Sequence, residues 1–197
     1  MSLGPKATSV KVDGTPDDFQ IPLAYHGEAE PGGATRLVVS VPTERLAEVH
    51  RALLGNLKGP FGLLYRQKID RRAVAQGKTP TQGLPPTDRV ALELEPERLF
   101  AALNDHAPLI YHDARHEFWV RGDQGAQVIM DDDAIVYCYP DDPSFRDILE
   151  GLGVGERPEQ NVSNRDYVKH WFLAEADGHE DGLIADLGLQ AVPHRTG

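Results

Sequence analysis

Two stretches of the chain, residues 36–49 and 89–102, repeat one order of residue types, and no other feature constrains the fold as strongly. Leu37-Val38-Val39-Ser40-Val41 aligns with Val90-Ala91-Leu92-Glu93-Leu94, and Glu44-Arg45-Leu46 aligns with Glu97-Arg98-Leu99. Each copy reads as a strand, a turn and an amphipathic helix. Each is followed by a Pro-led apolar run, Pro60-Phe61-Gly62-Leu63-Leu64-Tyr65 in the first and Pro108-Leu109-Ile110-Tyr111 in the second, which is expected to close the unit as a second strand. Two such units predict an α+β fold with a mixed, largely antiparallel sheet of ferredoxin-like βαβ type and helices mainly on one face.

The remaining segments extend this plan. Phe19, Ile21, Leu23 and Tyr25 alternate with Gln20, Pro22, Ala24 and His26, and Pro22 directs that strand to an edge. The first helix spans about residues 44–54, with Thr43 as its cap and Gly55 ending it in a left-handed conformation. The second runs from about Pro96 to Asp105. Four strands, at residues 109–112, 117–120, 126–130 and 134–139, then form a meander. Asp142 and Pro143 start a short helix that Gly151 ends. The domains are expected to be a flexible arm at residues 1–17, one α+β domain at 18–150, and a linker with a packed C-terminal element at 151–197. In that last part Tyr167, Val168, Trp171 and Phe172 fit a helix, with a strand as the alternative, and residues 183–187 fit a short helix. The long connection at residues 70–88, with Gly77, Pro80, Gly83, Pro85 and Pro86, is expected to be an exposed loop.

Charge narrows the function classes. The net charge of −11 disfavours nucleic acid as a partner and favours a basic protein. Its distribution is uneven. A basic run holds Lys58, Arg66, Lys68, Arg71, Arg72 and Lys78, and an acidic run holds Asp131, Asp132, Asp133, Asp141, Asp142, Asp147 and Glu150. Arg71, Arg72, Lys78, Asp131, Asp132, Asp133 and Asp141 are therefore candidate partner-binding residues. No apolar run approaches the ~20 residues that a membrane helix needs, and the N-terminus lacks the apolar core of a secretory signal. With the single cysteine Cys138, these features point to the cytoplasm.

Catalytic chemistry has one weak candidate. His112-Asp113-Ala114-Arg115-His116-Glu117 would place both histidines on one face of a helix, as a zinc-binding pair requires, and His112, His116 and Glu117 would then serve a hydrolase or metal-dependent enzyme. A hairpin turning at Ala114-Arg115 instead sends the two histidines to opposite faces, so no metal and no cofactor are expected. Gly77-Lys78-Thr79 ends like a phosphate-binding loop, but Arg72 stands where that motif needs glycine and Pro80 stops the following helix. Asp131-Asp132-Asp133 lacks the spaced ligands of a calcium loop. The sequence thus favours a non-enzymatic binding or regulatory protein, with neutralisation of a basic protein partner as the role its charge suggests.

Overall fold

Period-two alternation puts Leu37 and Val39 on one side of a strand and Val38 on the other, and the same rule repeated along the chain builds a broad sheet. The computed structural model describes residues 3–10, 15, 20–75, 86–160, 166–170 and 173–193. In order, the elements are β1 (Ala7–Val10), β2 (Ala24–Ala29), β3 (Thr35–Ser40), α1 (Thr43–Leu54), β4 (Phe61–Gln67), α2 (Arg71–Ala75), β5 (Thr87–Leu94), α3 (Pro96–Asp105), α4 (Ala107–His112), β6 (His116–Arg121), β7 (Gln127–Met130), β8 (Val136–Tyr139), α5 (Pro143–Gly151), β9 (Gly155–Glu156), β10 (Asp166–Lys169), α6 (Ala176–Leu187) and β11 (Gln190–Ala191).

The fold is α+β. Nine strands form a mixed, mostly antiparallel sheet in the order β11-β5-β4-β6-β7-β8-β3-β2-β9, with β9 parallel to β2, and β1 pairs with β10 in a separate two-stranded ribbon. Leu46, Val49, Leu53 and Leu54 of α1, Leu99 and Leu103 of α3, Leu109 and Ile110 of α4, Phe145 and Leu149 of α5, and Leu183 and Leu187 of α6 share one buried core with inward sheet residues such as Leu37, Leu63, Phe118 and Val128. The helices therefore cover one face of the sheet. Each fully buried leucine contributes about 1.5–3 kcal/mol, so this layer supplies most of the fold's stabilisation.

The second sequence unit departs from expectation. Residues 107–112 form the helix α4 in place of a strand, with Pro108 in its first turn, and the return strand is β6. A short apolar run has no period that separates helix from strand, and here Leu109, Ile110 and Tyr111 are all buried between neighbouring helices. β3 and β4 are separated by three strands, whereas β5 and β6 are separated by β4 alone, so strict repetition is not present. With α4 helical, the meander has three strands, β6, β7 and β8.

Smaller differences follow the same logic. Pro42 stands at the N-cap of α1, Thr43 is already helical, and Gly55 keeps a right-handed backbone at φ −64°. Residues 166–169 form a strand, and Ala7–Val10 pairs with it inside the stretch expected to be a flexible arm. Asp142 caps α5 as expected, its carboxylate accepting the Ser144 amide. Residues 76–85 of the long connection, with Lys78, and Trp171 and Phe172 lie outside the described residues.

Candidate functional site

Antiparallel register gathers most of the sequence's candidate residues at one end of the sheet. Gln67 lies opposite His116 and Arg66 opposite Glu117, while the Asp131 to Ile135 turn joins β7 and β8 beside them. The β1/β10 ribbon closes over this end. Lys68 donates to Glu117 at 2.8 Å and lies 3.7 Å from Asp132, and Lys169 pairs with Asp132 and Asp133. Asp131 Oδ1 accepts the amides of Asp133 and Ile135 at 2.9 Å each, and Oδ2 accepts the Tyr137 hydroxyl. Burial, reinforced by the Asp133 charge, pushes the Asp131 carboxyl up to about 7.

Beneath the ribbon, Lys6 is 1% exposed, and its Nζ makes no hydrogen bond among the described residues. Burial lowers its pKa to about 8, against the attraction of Asp131, Asp132, Asp113 and Glu117. Arg115 is fully buried, with Nε and Nη2 donating to Asp113 at 2.8 and 2.9 Å and Nη1 donating to Asp177 and Glu180. His116 stacks on Tyr65 at 5.0 Å between ring centroids, and neither ring nitrogen has a partner among the described residues. Burial together with Lys6 and Arg115 holds His116 well below the ordinary histidine range. The same causes, with Arg51 as the second cation in place of Arg115, take His50 down to about 3, so both rings are neutral.

These positions separate the enzyme candidates. His112 ends α4, donates from Nδ1 to the Gly4 carbonyl at 2.7 Å, and lines a surface cleft with Pro5, His170 and Leu173. His116 starts β6 and points into the core, and Glu117 accepts from Lys68 and from Trp119 Nε1. The expected hairpin at Ala114-Arg115 does not form, because β6 pairs with β4 and β7. Among the described residues no three His, Cys, Asp or Glu side chains are grouped to hold a metal ion. Cys138 is buried and its thiol is raised by burial, which leaves it unreactive.

The charged runs find partners inside the chain. Arg66 pairs with Asp88, Arg71 with Asp177, and Arg72 with Asp181, so α2 is tied to α6. Asp141 lies toward the opposite end of the sheet, paired with Arg146 at 2.7 Å. Members of both charged runs are thus held in internal ion pairs, mostly with partners outside the two runs, and Lys68 with Asp132 links one run to the other.

A second region has no counterpart among the sequence candidates. On the face that the helices leave bare, cross-strand register lines up Val90, Leu64, Trp119, Ile129, Tyr137, Val38 and His26 in one row across seven strands. Tyr167 of β10 packs against the Val38 and Ile135 end of this row. Toward β5 the row is open. There Gly62, Leu64, Val90, Leu92, Trp119, Arg121 and Gln127 line a groove of about 220 Å³. Leu92 is 75% exposed because a bulge sets Leu94 opposite Phe61 and Ala91 opposite Leu63, with Glu93 at φ 54°. The Trp119 indole is fixed from two sides, by its hydrogen bond to Glu117 at 3.0 Å and by the Arg66 guanidinium 5.3 Å from its ring. The signal available in the sequence was apolar residues at consecutive strand positions, Leu63-Leu64, Phe118-Trp119-Val120 and Val128-Ile129-Met130, which mark a strand apolar on both faces.

Searches against protein families, curated proteins and solved structures give no match for the chain.

Proposed function

We propose that this chain is a non-enzymatic binding or regulatory protein that engages a protein partner through the helix-free face of its sheet. The observation that carries the reading is the apolar row, open at Leu64, Val90, Leu92 and Trp119, in a chain where Arg71, Arg72, Asp132, Asp133 and Asp141 are held in internal pairs. An exposed apolar patch rimmed by polar residues is the usual mark of an interaction site. A preset aromatic such as Trp119 is the kind of side chain that dominates binding energy. Neutralisation of a basic partner by the acidic run has less support, since Asp132, Asp133 and Asp141 already meet Lys169 and Arg146. A hydrolase built on His112, His116 and Glu117 has less still, because the three side chains face different surroundings. The single buried thiol fits a cytoplasmic setting.

Photo-cross-linking tests the reading in source cells. A benzophenone amino acid at position 92 is expected to give one discrete protein adduct that the same label at exposed Glu48 on α1 does not give. The adduct should disappear when Trp119→Ala is added. No adduct at position 92, or the same adducts from both positions, overturns the proposal.

A further inference from the structure

We infer that the open third of the sheet face docks a protein segment carrying adjacent apolar side chains and a neighbouring aspartate or glutamate. The apolar groups seat on Leu64, Val90, Leu92 and Trp119, and the carboxylate meets the Arg121 guanidinium. The inference rests on the protein-binding reading above and adds the chemistry of the partner.

Charge on this face decides the chemistry. Arg36 pairs with Glu28 and Glu30, Arg66 with Asp88, and Lys68 with Glu117, so these cations are already matched. Arg121 differs. It is exposed at the lip of the groove and makes no ion pair or hydrogen bond among the described residues, and Gln127, opposite it in the ladder, likewise has no side-chain bond there. Lys58 and Asp123 sit in adjoining turns, joined by the Asp123 amide bonding to the Lys58 carbonyl, and they bring one charge of each sign. Beyond Leu92, Glu93 on the bulge and Arg98 in the adjoining cleft again bring one charge of each sign, so the local balance is one further guanidinium, that of Arg121, beside an apolar groove, and a carboxylate is its geometric match.

The same balance disfavours the other occupants. A second copy placed face to face would bring another Arg121 and, from Glu28, Asp88 and Glu117, carboxylates already paired, with Asp123 and Glu93 at the groove edge as its free acids among the described residues, so dimerisation abolished by Arg121→Glu would overturn the inference. A nucleic acid would find one cation on a chain of net charge −11. The groove floor also fits a side chain rather than a flat surface, since Gly62 leaves a gap in which an added Cβ would meet only Leu92 Cδ2, at 3.8 Å.

Selection from a random-peptide display library on the immobilised full chain tests the inference. Enriched peptides are expected to combine adjacent apolar residues with Asp or Glu, and Arg121→Glu should move the preference to Lys or Arg. For one selected peptide measured by calorimetry, Arg121→Gln should weaken binding by up to about fivefold, the range of a solvent-exposed charge pair. Gly62→Val, which fills the groove without a backbone clash, should abolish binding while the melting temperature holds. Peptides without an acidic preference, or a preference unmoved by Arg121→Glu, overturn the inference and leave the protein-binding reading standing. Failure to enrich any peptide sensitive to Gly62→Val overturns both.

Discussion

Arg115 shows what a single buried charge imposes on its surroundings. Its guanidinium is enclosed and held by Asp113, Asp177 and Glu180, which come from the loop before β6 and from α6. Removing one member of such a set leaves an uncompensated buried charge and costs about 3–5 kcal/mol. Arg115→Ala is therefore expected to lose that amount in urea denaturation, far more than the loss for an exposed pair such as Arg45 with Glu48. Asp131 acts through protons instead. Its carboxyl is raised from 3.8 to about 7, so between these values the folded chain holds a proton that the unfolded chain has released. This contribution is present at low pH and is lost as pH rises toward 7. Asp131→Asn, which imitates the protonated acid, is expected to flatten the fall in stability between those pH values, measured by denaturation at a series of pH. Lys6 acts higher on the scale: because its pKa is lowered from 10.5 to about 8, stability should rise as pH passes from the lower value to the higher.

At the scale of elements, β5 and α6 show tertiary contacts overriding local pattern. Val90, Leu92 and Leu94 alternate as one face of a strand, but the bulge at Leu92 and Glu93 sends Leu94 to the core and leaves Leu92 outside. Leu92→Ser is thus expected to change stability by less than about 0.5 kcal/mol. Leu103→Ala in α3, which opens a cavity in the packed layer, should cost about 2–5 kcal/mol, and thermal or urea unfolding of the two variants checks the contrast. The helix α6 carries Gly178 and Gly182, which weaken a helical reading of its sequence. Gly182 is needed because the His106 ring lies where a side chain would go, 2.6 Å from an added Cβ, and His106 is itself bonded to Asp186 at 2.9 Å. Such a close approach between the α3–α4 junction and α6 is invisible in either segment alone.

Across the whole molecule, stability is graded from the middle of the sheet to its edges. β4 is bonded on both sides, to β5 and β6, whereas β9 and β11 are two-residue edge strands. Hydrogen exchange is expected to be slowest at Leu63, Tyr65, Phe118 and Val120 and fast in β9 and β11; equal protection throughout would contradict this gradient. Much of the architecture was legible in the sequence, because period-two and helical patterns report which side of an element must leave water. The positions of β3, α1, β4, α3 and α5 follow from those patterns. α4 did not, since Leu109-Ile110-Tyr111 is apolar throughout and only its neighbours set its backbone. The site was less legible still. The charge runs were visible, but ion pairs such as Lys68 with Asp132 and Arg71 with Asp177 join residues far apart in the chain. Likewise, Leu64, Val90 and Trp119 become one row only when β4, β5 and β6 pair in register. Local patterning determined most of the elements and their inward faces, since burial acts on each segment separately; tertiary structure decided the backbone of α4 and β10, which charges cancel and which apolar groups stay exposed, since these depend on neighbours, strand order and register.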